Sequence, residues 1–494
     1  MSTDPARTPV IIGVGQINDR PAPEDPGLDS VALMAAAARK ADEDTGGGFL
    51  ARSDWLAIVP QISYRDLDPA ALLPGALGIS PKHVAHPHMA SGDTPIHHLN
   101  DAANAIARGE ATVCLVTGGE GIRNAARRPQ APDGSSGLFQ AARTASEIRK
   151  RYGLINPAEI YPLYENATRA TWGQSLAEGQ AESGQIWSLM SQVAAQSEGA
   201  WIKSPKFAAD ILEASADNRP IAFPYNKLMV ANSSVNQGAA YIVTSLAIAL
   251  AAGIPEDRLV YVWAGAAAHE SEEPLERPAW GQVPDGMRTS LEKAMSVNRL
   301  KAGDLDYVEL YSCFPCVPKM ARRVLGWPAD KPATVHGGLT FGGGPIGNYM
   351  THAVVGMVQA LRRSGRFGLL FGNGGHCTHN HTIVVSREPP RDGLMPNAYD
   401  FNAEADASRA PIPAQGDDYE GQVTVETYTV VYDRAGAPAF GVIMSRAPDG
   451  SRVVAKVAPD DTRSIAFLTD GKAEPVGATG VTAKDGDTLF WRAG

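Results

Sequence analysis

The side chains with the most evident chemical potential lie in the segment GGHCTHNH, residues 374–381. His376, Cys377, His379 and His381 are all groups that can bind a metal ion. If a strand has begun there, His379 and His381 lie on one face of it, because side chains alternate along a strand. The spacing matches no recognisable zinc motif, so we expect no metal and interpret these residues as a turn at the rim of a pocket. His376 is the strongest functional candidate among them.

A second motif, Cys313-Phe-Pro-Cys316, has the C-x-x-C spacing of redox-active pairs. Its surroundings do not resemble a thioredoxin-like unit, so disulfide catalysis is a minor alternative. The other cysteines are Cys114 and Cys377. Four cysteines are too few for a disulfide framework in a chain of 494 residues, which favours the reducing cytoplasm as the location.

The composition is that of a soluble globular chain and argues against several functions. Lys and Arg number 44 against 54 Asp and Glu, and the net charge of −10 argues against bulk electrostatic binding to nucleic acid or to anionic membranes. No apolar run is long enough to span a bilayer, and the N-terminus lacks the features of a signal peptide. At about 150 residues per domain, the length indicates about three structural units.

Short apolar strands alternate with helical patterns through most of the chain, which is typical of an α/β sheet covered by helices. The predicted strands are Val10–Val14, Trp55–Val59, Thr112–Val116, Leu259–Trp263, Tyr307–Leu310, Gly368–Phe371 and Thr382–Val385. The predicted helices are Ser30–Asp42, Thr94–Arg108, Val243–Ala252, Met287–Val297 and Met350–Arg363. These elements must position any site that the motifs form.

A weak internal repeat predicts two related halves. A turn, a helix, a strand and a glycine pair occur between residues 91 and 119 and again, at nearly the same spacing, between residues 347 and 375. A duplicated unit is the natural interpretation of this pattern. Residues 122–229 are rich in helix formers and aromatic residues, and we interpret them as an insertion between the two halves.

The last part of the chain predicts a different architecture. Residues 391–418 are rich in Pro, Ala and Asp and are predicted to form a linker. In residues 419–494 the hydrophobic pattern predicts three strands, a helix and two further strands, which is the order of a small OB-type barrel. From residue 421 onward there are eight Lys and Arg against nine Asp and Glu, so we expect no tight binding of single-stranded nucleic acid. We therefore predict that the barrel serves the rest of the chain, by docking on it, covering a ligand entrance or recruiting a partner.

Four motifs resemble, in order, those of thiolases. Residues 89–120 begin with Met-Ala-Ser-Gly and end with Gly-Gly-Glu, and they resemble the nucleophile region, where Cys-x-Ser-Gly precedes a helix and a strand. VELYSCF at 308–314 resembles the His-Asp-Cys-Phe or Asn-Glu-Ala-Phe segment. GGLTFGGGPIGN at 337–348 resembles the Gly-His-Pro segment, and LLFGNGG at 369–375 the Cys-x-Gly segment. The resemblance covers about the first 390 residues and identifies the chain as a member of the thiolase superfamily.

This resemblance implies a thiolase fold, with two duplicated βαβαβαββ halves in a layered α-β-α-β-α arrangement. The insertion resembles the loop domain of sterol-carrier-type thiolases. Together with the predicted barrel, it makes the chain similar to thiolase-like proteins of type 1, which carry an additional C-terminal domain. The expected parts are an N-terminal half at 1–121 continued at 230–253, a loop domain at 122–229, a C-terminal half at 254–390, the linker at 391–418 and the OB-like domain at 419–494.

Each catalytic role of the family falls on a different residue type here. Met89 stands at the position of the nucleophilic Cys, and Gly344 at that of the Gly-His-Pro histidine. The second Cys falls on Gly372, or on Phe371 if a one-residue gap is allowed, and the Asn or His of the oxyanion hole falls on Tyr311. Because a thioether cannot become an anionic nucleophile, we expect ordinary Claisen condensation and thiolysis to be absent or altered.

The catalytic candidates that remain are Tyr311, Cys313 and His376. Tyr311 can donate a hydrogen bond to a thioester carbonyl or act as an acid or base, and Cys313 keeps the position of the cysteine in His-Asp-Cys-Phe. The alternative is that Tyr311 only fills the space left by smaller neighbours. Candidate ligand-binding positions are Ser245, Gly343, Gly347 and Tyr349, since glycines allow a close approach of the backbone.

By resemblance the ligand is CoA or acyl-CoA, and the family activity would be that of an acyltransferase of lipid metabolism. Our first hypothesis is a CoA- or acyl-CoA-binding protein whose thiolase chemistry is absent or altered. The second is a retro-aldol C–C lyase that uses Tyr311 or Tyr349 as the acid or base. The third is a non-enzymatic binding protein whose barrel recruits a partner. The family implies a homodimer, but the added barrel leaves a monomer open, and no membrane or nucleic-acid partner is expected.

Overall fold

The computed structural model describes residues 4–128, 145–416 and 418–494. Its central strands are buried on both faces and therefore read as continuous apolar runs. In chain order the strands are β1 (Pro9–Asn18), β2 (Trp55–Ile58), β3 (His83–Ala85), β4 (Val113–Gly121), β5 (Pro220–Ala222), β6 (Tyr225–Asn226), β7 (Asn236–Ser245), β8 (Val260–His269), β9 (Tyr307–Leu310), β10 (Phe367–Gly374), β11 (His379–Ser386), β12 (Gly421–Tyr432), β13 (Pro438–Arg446), β14 (Arg452–Val457), β15 (Thr479–Asp485) and β16 (Thr488–Ala493).

The helices are α1 (Ser30–Asp44), α2 (Pro69–Leu77), α3 (Thr94–Arg108), α4 (Ile122–Ala125), α5 (Glu147–Tyr152), α6 (Pro157–Thr171), α7 (Leu176–Gln196), α8 (Ala208–Leu212), α9 (Leu246–Ala251), α10 (Asp285–Val297), α11 (Cys316–Leu325), α12 (Tyr349–Arg363), α13 (Asn402–Ser408) and α14 (Thr462–Thr469). The helix predicted at 243–252 is wrong in its first part, because residues 243–245 continue β7. The Ser245 hydroxyl accepts a hydrogen bond from the Ile248 amide and starts the helix there. None of the helices in the described ranges combines the length and the apolar composition that a bilayer crossing requires.

The core sheet confirms the predicted duplication. Its nine strands follow the order β3-β2-β4-β7-β1-β8-β11-β10-β9. In the first half β1 pairs with β7, β7 with β4 and β4 with β2; in the second half β8 pairs with β11, β11 with β10 and β10 with β9. In both halves the first two pairings are antiparallel and the third is parallel. A short antiparallel contact of Val10 and Ile11 with β8 joins the halves.

Helices α3 and α12 form the middle layer between the two halves. Each has 12 buried residues among its 15, and each packs on strands of both halves. A helix that is buried all round must lie between layers, whereas α1 packs on β1, β4 and β7 from outside and α10 packs on β8 and β11 from outside. The result is the predicted α-β-α-β-α arrangement.

The C-terminal region is a closed five-stranded barrel, as predicted. β12 pairs with both β13 and β15, and the circuit is completed by β13–β14, β14–β16 and β16–β15. β14 and β16 run parallel, and α14 lies between β14 and β15 in the chain, which is the OB topology.

The barrel docks on the helical insertion through polar contacts made by two buried side chains of α6. Asn166 of α6 donates to the Tyr428 carbonyl at 2.9 Å, and Arg169 of the same helix pairs with Glu474 at 2.6 Å. In addition, β5 of the insertion pairs with β12. A buried polar group must be paired to remain in a protein interior, so these contacts fix the barrel against the insertion.

The segment predicted to be a linker runs along the surface of the core and packs against it. Residues 391–416 and 418 contain α13, which packs on α10 and β8. The Tyr399 hydroxyl donates to Asp101 of α3 at 2.5 Å, and the Asn397 amide donates to Asn104 Oδ1 at 2.9 Å. The segment is held by individual side-chain contacts with α3. Such contacts leave no hydrophobic periodicity in the sequence, and the segment was therefore predicted to be a linker.

Candidate functional site

The start of α3 is the point where the predicted motifs meet. β9 and β10 are parallel, so their carboxyl ends reach the same edge of the sheet and place Tyr311 and Asn373 beside Gly92. An added Cβ on Gly92 would lie 2.2 Å from the Asn373 carbonyl oxygen and 2.4 Å from the Tyr311 hydroxyl oxygen. Only glycine fits there. Beside it, the Ser91 hydroxyl donates a hydrogen bond to the Asp93 carboxylate.

Tyr311 brings a phenol to this point that has no partner among the described residues. Its backbone amide donates to the Phe371 carbonyl at 3.1 Å, which fixes the side chain against β10, while its hydroxyl makes no hydrogen bond within the described ranges. Burial raises the pKa of Tyr311 well above its usual range. The phenol is therefore neutral near pH 7, and it can donate a hydrogen bond or a proton but cannot accept one as a phenolate.

Tyr349, the second predicted phenol, is tied to a buried carboxyl group. Its hydroxyl donates to Glu309 Oε1 at 2.7 Å, and the same carboxyl accepts the Val335 amide at 2.8 Å and the Thr334 hydroxyl at 2.8 Å. Burial raises the pKa of Glu309 to about 7 and that of Tyr349 well above its usual range. The Tyr349 and Tyr311 rings lie 6.1 Å apart, and of the two hydroxyls only that of Tyr311 has no hydrogen-bond partner among the residues that the structure describes.

Cys313 lies next to this pair but is not activated. The residue is 9% exposed, and burial raises the pKa of its thiol to about 12, although the Tyr161 hydroxyl opposes part of that rise. Roughly one thiol in 10⁵ would be ionised at pH 7 with such a pKa, whereas reactive cysteines have depressed values. The four cysteines, all free, are buried.

Tyr161 and Asn373 are site residues that the sequence analysis missed. The Tyr161 ring, from α6, stacks on Phe314 with centroids 4.6 Å apart. Its hydroxyl donates to Asn373 Oδ1 at 3.2 Å and accepts the Cys377 amide at 3.3 Å. The insertion therefore closes one side of the site. No sequence signal singles out Tyr161 from the other aromatic residues of the insertion, because its hydrogen-bond partners Asn373 and Cys377 lie more than 200 positions away.

The predicted glycine positions are places where backbone and side chains approach closely. An added Cβ would lie 2.1 Å from Gln237 Oε1 at Gly343 and 3.1 Å from the Ser91 carbonyl oxygen at Gly347. Gly344 is held by a hydrogen bond from its amide to the Asn232 carbonyl at 2.8 Å. Gly347 therefore lies beside the start of α3, whereas Gly343 lies against β7 and Gly344 against residues 231–232.

The structure distinguishes between the two positions left open for the second cysteine. An added Cβ at Gly372 would lie 2.9 Å from the Asp93 Cα atom. Phe371 precedes it in β10 and faces the opposite side, because side chains alternate along a strand. Gly372 is thus the position that faces the start of α3.

Two predicted positions are not part of this cluster: Met89 lies in an adjoining cleft, and Ser245 lies far from it. Met89 is 66% exposed and lines an open cleft of about 550 Å³ together with Ala90 and Ile346. Ser245 caps α9 at the far end of β7, eight residues from Gln237, which is about 26 Å along a strand. The structure therefore does not bring Ser245 to the site.

Two of the three histidines in residues 376–381 have different partners, and the Nε2 atom of the third, His376, is buried without a partner among the described residues. His379 pairs with Glu272 at 2.8 Å, while the Nε2 atom of His381 lies 3.1 Å from Asn100 Oδ1. His376 is buried, and burial, with the charges of Arg149 and Arg277, lowers its pKa to about 3. In the described part of the chain, no three His, Cys, Asp or Glu side chains form a group that could hold a metal ion.

A buried polar layer that the sequence analysis also missed lies under the glycines of 342–344. His336 and His352 stack with centroids 5.4 Å apart, and Gln237 donates to the Gly342 carbonyl at 2.9 Å. His336 Nε2, His352 Nε2 and Gln237 Oε1 are buried and have no partner among the described residues. His336 directly precedes the glycine-rich motif at 337–348, and this position was the only sequence signal that could have pointed to it.

Comparisons with known proteins agree with this architecture. The family model for the thiolase-like protein type 1 additional C-terminal domain matches residues 403–487. The crystal structure of a monomeric SCP2-thiolase like protein type 1 from Mycobacterium smegmatis is similar over 100% of both chains, with 31% identity and a TM-score of 0.84. Comparison with curated protein sequences gives no significant match.

Two further solved structures share the fold of the core. An Ltp2-ChsH2(DUF35) aldolase is 17% identical, with a TM-score of 0.59 over 78% of this chain and 99% of the other. Human mitochondrial 3-ketoacyl-CoA thiolase in complex with CoA is 13% identical, with a TM-score of 0.55 over 77% of this chain and 98% of the other. Identities this low establish the thiolase fold of the core and nothing about its chemistry.

Proposed function

The chain belongs to the SCP2-thiolase-like proteins of type 1, and we propose that it binds CoA or acyl-CoA without carrying out ordinary thiolase chemistry. One observation carries this proposal: the start of α3 faces Gly372 and Tyr311, and all four cysteines of the chain are buried, with the pKa of each thiol raised by burial. Met89 is exposed in the adjoining cleft, and the thiol of Cys313 has a pKa of about 12. Acyl transfer through a covalent enzyme intermediate needs an activated nucleophile, which this arrangement lacks.

The site retains groups that suit a thioester. The neutral Tyr311 phenol can donate to the carbonyl oxygen, and the space beside Gly347 and Gly92 is bounded by backbone. Binding of CoA by a thiolase-fold relative supports this ligand class. We place the protein in the cytoplasm and in lipid metabolism, and we propose a monomer, because its 31%-identical relative is described as monomeric.

The proposal predicts binding without thiolysis. Calorimetric titration with CoA and acetoacetyl-CoA should detect binding with Kd in the micromolar to millimolar range, about −8 to −4 kcal/mol. The same protein incubated with acetoacetyl-CoA and CoA should form no acetyl-CoA. The variant Met89→Cys should also remain inactive, because Gly344 supplies no imidazole and Gly372 no second thiol. Thiolysis by the unmodified chain at a rate typical of thiolases would overturn the proposal.

A second candidate, retro-aldol cleavage of a β-hydroxyacyl-CoA, is favoured by the unpaired Tyr311 hydroxyl. In such a reaction the β-hydroxyl group loses a proton and the bond between the α and β carbons breaks. A carbonyl product and a thioester enolate result, and the enolate then takes up a proton at its α carbon. Tyr311 is protonated and can stabilise the enolate oxygen or supply that proton. The proton released by the β-hydroxyl group then returns to Tyr311 through Asp93, the carboxylate at the start of α3, so that no net proton is gained or lost. The aldolase of the same fold is consistent with this chemistry.

This candidate predicts unequal effects of two matched substitutions. If cleavage of a β-hydroxyacyl-CoA is detected, Tyr311→Phe should lower kcat about 100-fold or more, whereas Tyr349→Phe should lower it less than tenfold, because Tyr349 is occupied by Glu309. Chromatography of the released acyl-CoA measures both rates. If both variants keep the unmodified rate, this mechanism is wrong, and if no turnover occurs, binding alone remains.

A further inference from the structure

The C-terminal barrel makes buried hydrogen bonds to residues 270–280, which form most of the connection between β8 and α10. Arg452 of β14 is fully buried and pairs with Glu426 of β12 through hydrogen bonds of 2.9 Å and 2.8 Å. Its other donors reach the connection, where they meet the carbonyl oxygens of Leu275 at 3.0 Å and Pro278 at 3.2 Å. The guanidinium carries five N–H donors in a planar fork, so one side chain holds both the barrel strand and the connection.

Arg277 continues this chain of contacts from the connection to the turn between β10 and β11. It is 2% exposed, and its Nε donates to the Tyr164 hydroxyl at 2.7 Å while its Nη2 donates to the His376 carbonyl at 3.4 Å. The Tyr164 hydroxyl, from α6, donates to that same His376 oxygen at 3.1 Å. A third donor of Arg277 reaches the Ser271 carbonyl at 3.1 Å and folds the connection around the guanidinium.

The turn held in this way, residues 374–378, borders the start of α3. Cys377 has a φ of 62°, a left-handed conformation that side chains other than glycine rarely adopt and that surrounding contacts must hold. An added Cβ on Gly374 would lie 1.9 Å from the Ser91 hydroxyl oxygen. A small displacement of the turn therefore changes the space beside Ser91 and Gly92.

We propose that Arg277 is a positioning residue for this turn, and that the Arg452–Glu426 pair of the barrel holds Arg277 in place. The barrel then shapes the candidate site through two buried arginines, although Arg452 itself touches no site residue. Without Arg452 the carbonyl oxygens of Leu275 and Arg277 would lose a buried donor, and Glu426 would keep only its contact with the half-buried Arg446, so the connection would shift. The relevance of the turn to a ligand rests on the proposed function, but the coupling itself does not.

Thiol labelling tests the coupling without any ligand. Cys377 lies in the turn and is fully buried, so a thiol reagent modifies it only when the turn opens, and peptide mass spectrometry measures its rate separately from the other cysteines. We expect Arg277→Met and Arg452→Met to accelerate modification of Cys377 at least tenfold in the full chain. Arg277→Lys should give an intermediate rate, because an ammonium keeps the charge but not the planar fork.

Two internal references make the result decisive. Cys114, buried in β4 of the other half, reports global unfolding and should keep its unmodified rate in every variant. Arg492→Met removes an exposed arginine from the same barrel and should leave Cys377 protected. An unchanged Cys377 rate in Arg452→Met or in Arg277→Met would overturn the proposal, and so would equal acceleration of Cys377 and Cys114. Failure of CoA binding would leave these rates unaffected, so the two proposals fail separately.

Discussion

Replacing Lys319 with methionine is expected to lower the free energy of unfolding by about 3–5 kcal/mol. Lys319 of α11 is fully buried, and its Nζ contacts Glu165 Oε1 of α6 at 2.5 Å and the Gly179 carbonyl of α7 at 2.8 Å. The Tyr225 hydroxyl donates to the other carboxylate oxygen at 2.9 Å. Methionine fills a similar volume but leaves a 3%-exposed carboxylate without its cation, and an uncompensated buried charge is costly.

Urea unfolding of matched variants measures this cost. Lys150→Met breaks the exposed pair with Glu147, which lies on the surface of α5, and should change stability by less than about 1 kcal/mol. The double variant Lys319→Met/Glu165→Gln removes both charges and should recover a large part of the loss. If Lys319→Met is as stable as Lys150→Met, the buried pair does not hold α11 against the insertion.

Elements with strong local signals were predictable from the sequence. β9 and α3 have the predicted bounds, Tyr307–Leu310 and Thr94–Arg108, because an apolar run marks one, and Pro95 near the start and Gly109 after the end mark the other. The barrel also follows its predicted order, since regular turns separate its strands. Residues 243–245 were assigned wrongly because an apolar run fits a buried strand as well as a helix.

The site was predictable only as far as single motifs reach. The motifs brought Tyr311, Gly372 and the start of α3 to one place. The sequence did not show which of the two tyrosine hydroxyls lacks a partner. The Tyr349 hydroxyl donates to Glu309, 40 positions away, and no local pattern predicts that contact. The role of Arg277 could not be predicted for the same reason. Its partners lie in α6 and in the turn after β10, which come together only in the folded chain.

Buried titratable groups predict how stability depends on pH. Five buried histidines have a pKa lowered by burial, to about 4 for His98 and His336 and about 3 for His376, and well below the usual range for His352 and His381. Burial disfavours the charged form of a carboxyl group as well, and it therefore raises the pKa of Glu120 and of Glu309 to about 7. Near pH 5.5 the unfolded chain therefore binds about five more protons than the folded chain on these histidines, and the folded chain binds about two more on these carboxyls.

For these seven groups the unfolded chain binds a net excess of about three protons near pH 5.5, so stability should fall as pH decreases from 6.5 to 4.5, by a few kcal/mol per pH unit at about pH 5.5. Urea midpoints measured at several pH values across this range should show the decline. His98→Gln removes one histidine that is neutral when folded and should make the decline shallower. Glu309→Gln removes one carboxyl that opposes the histidines and should make it steeper. A flat profile, or the same slope in both variants, would contradict this assignment of the buried protons.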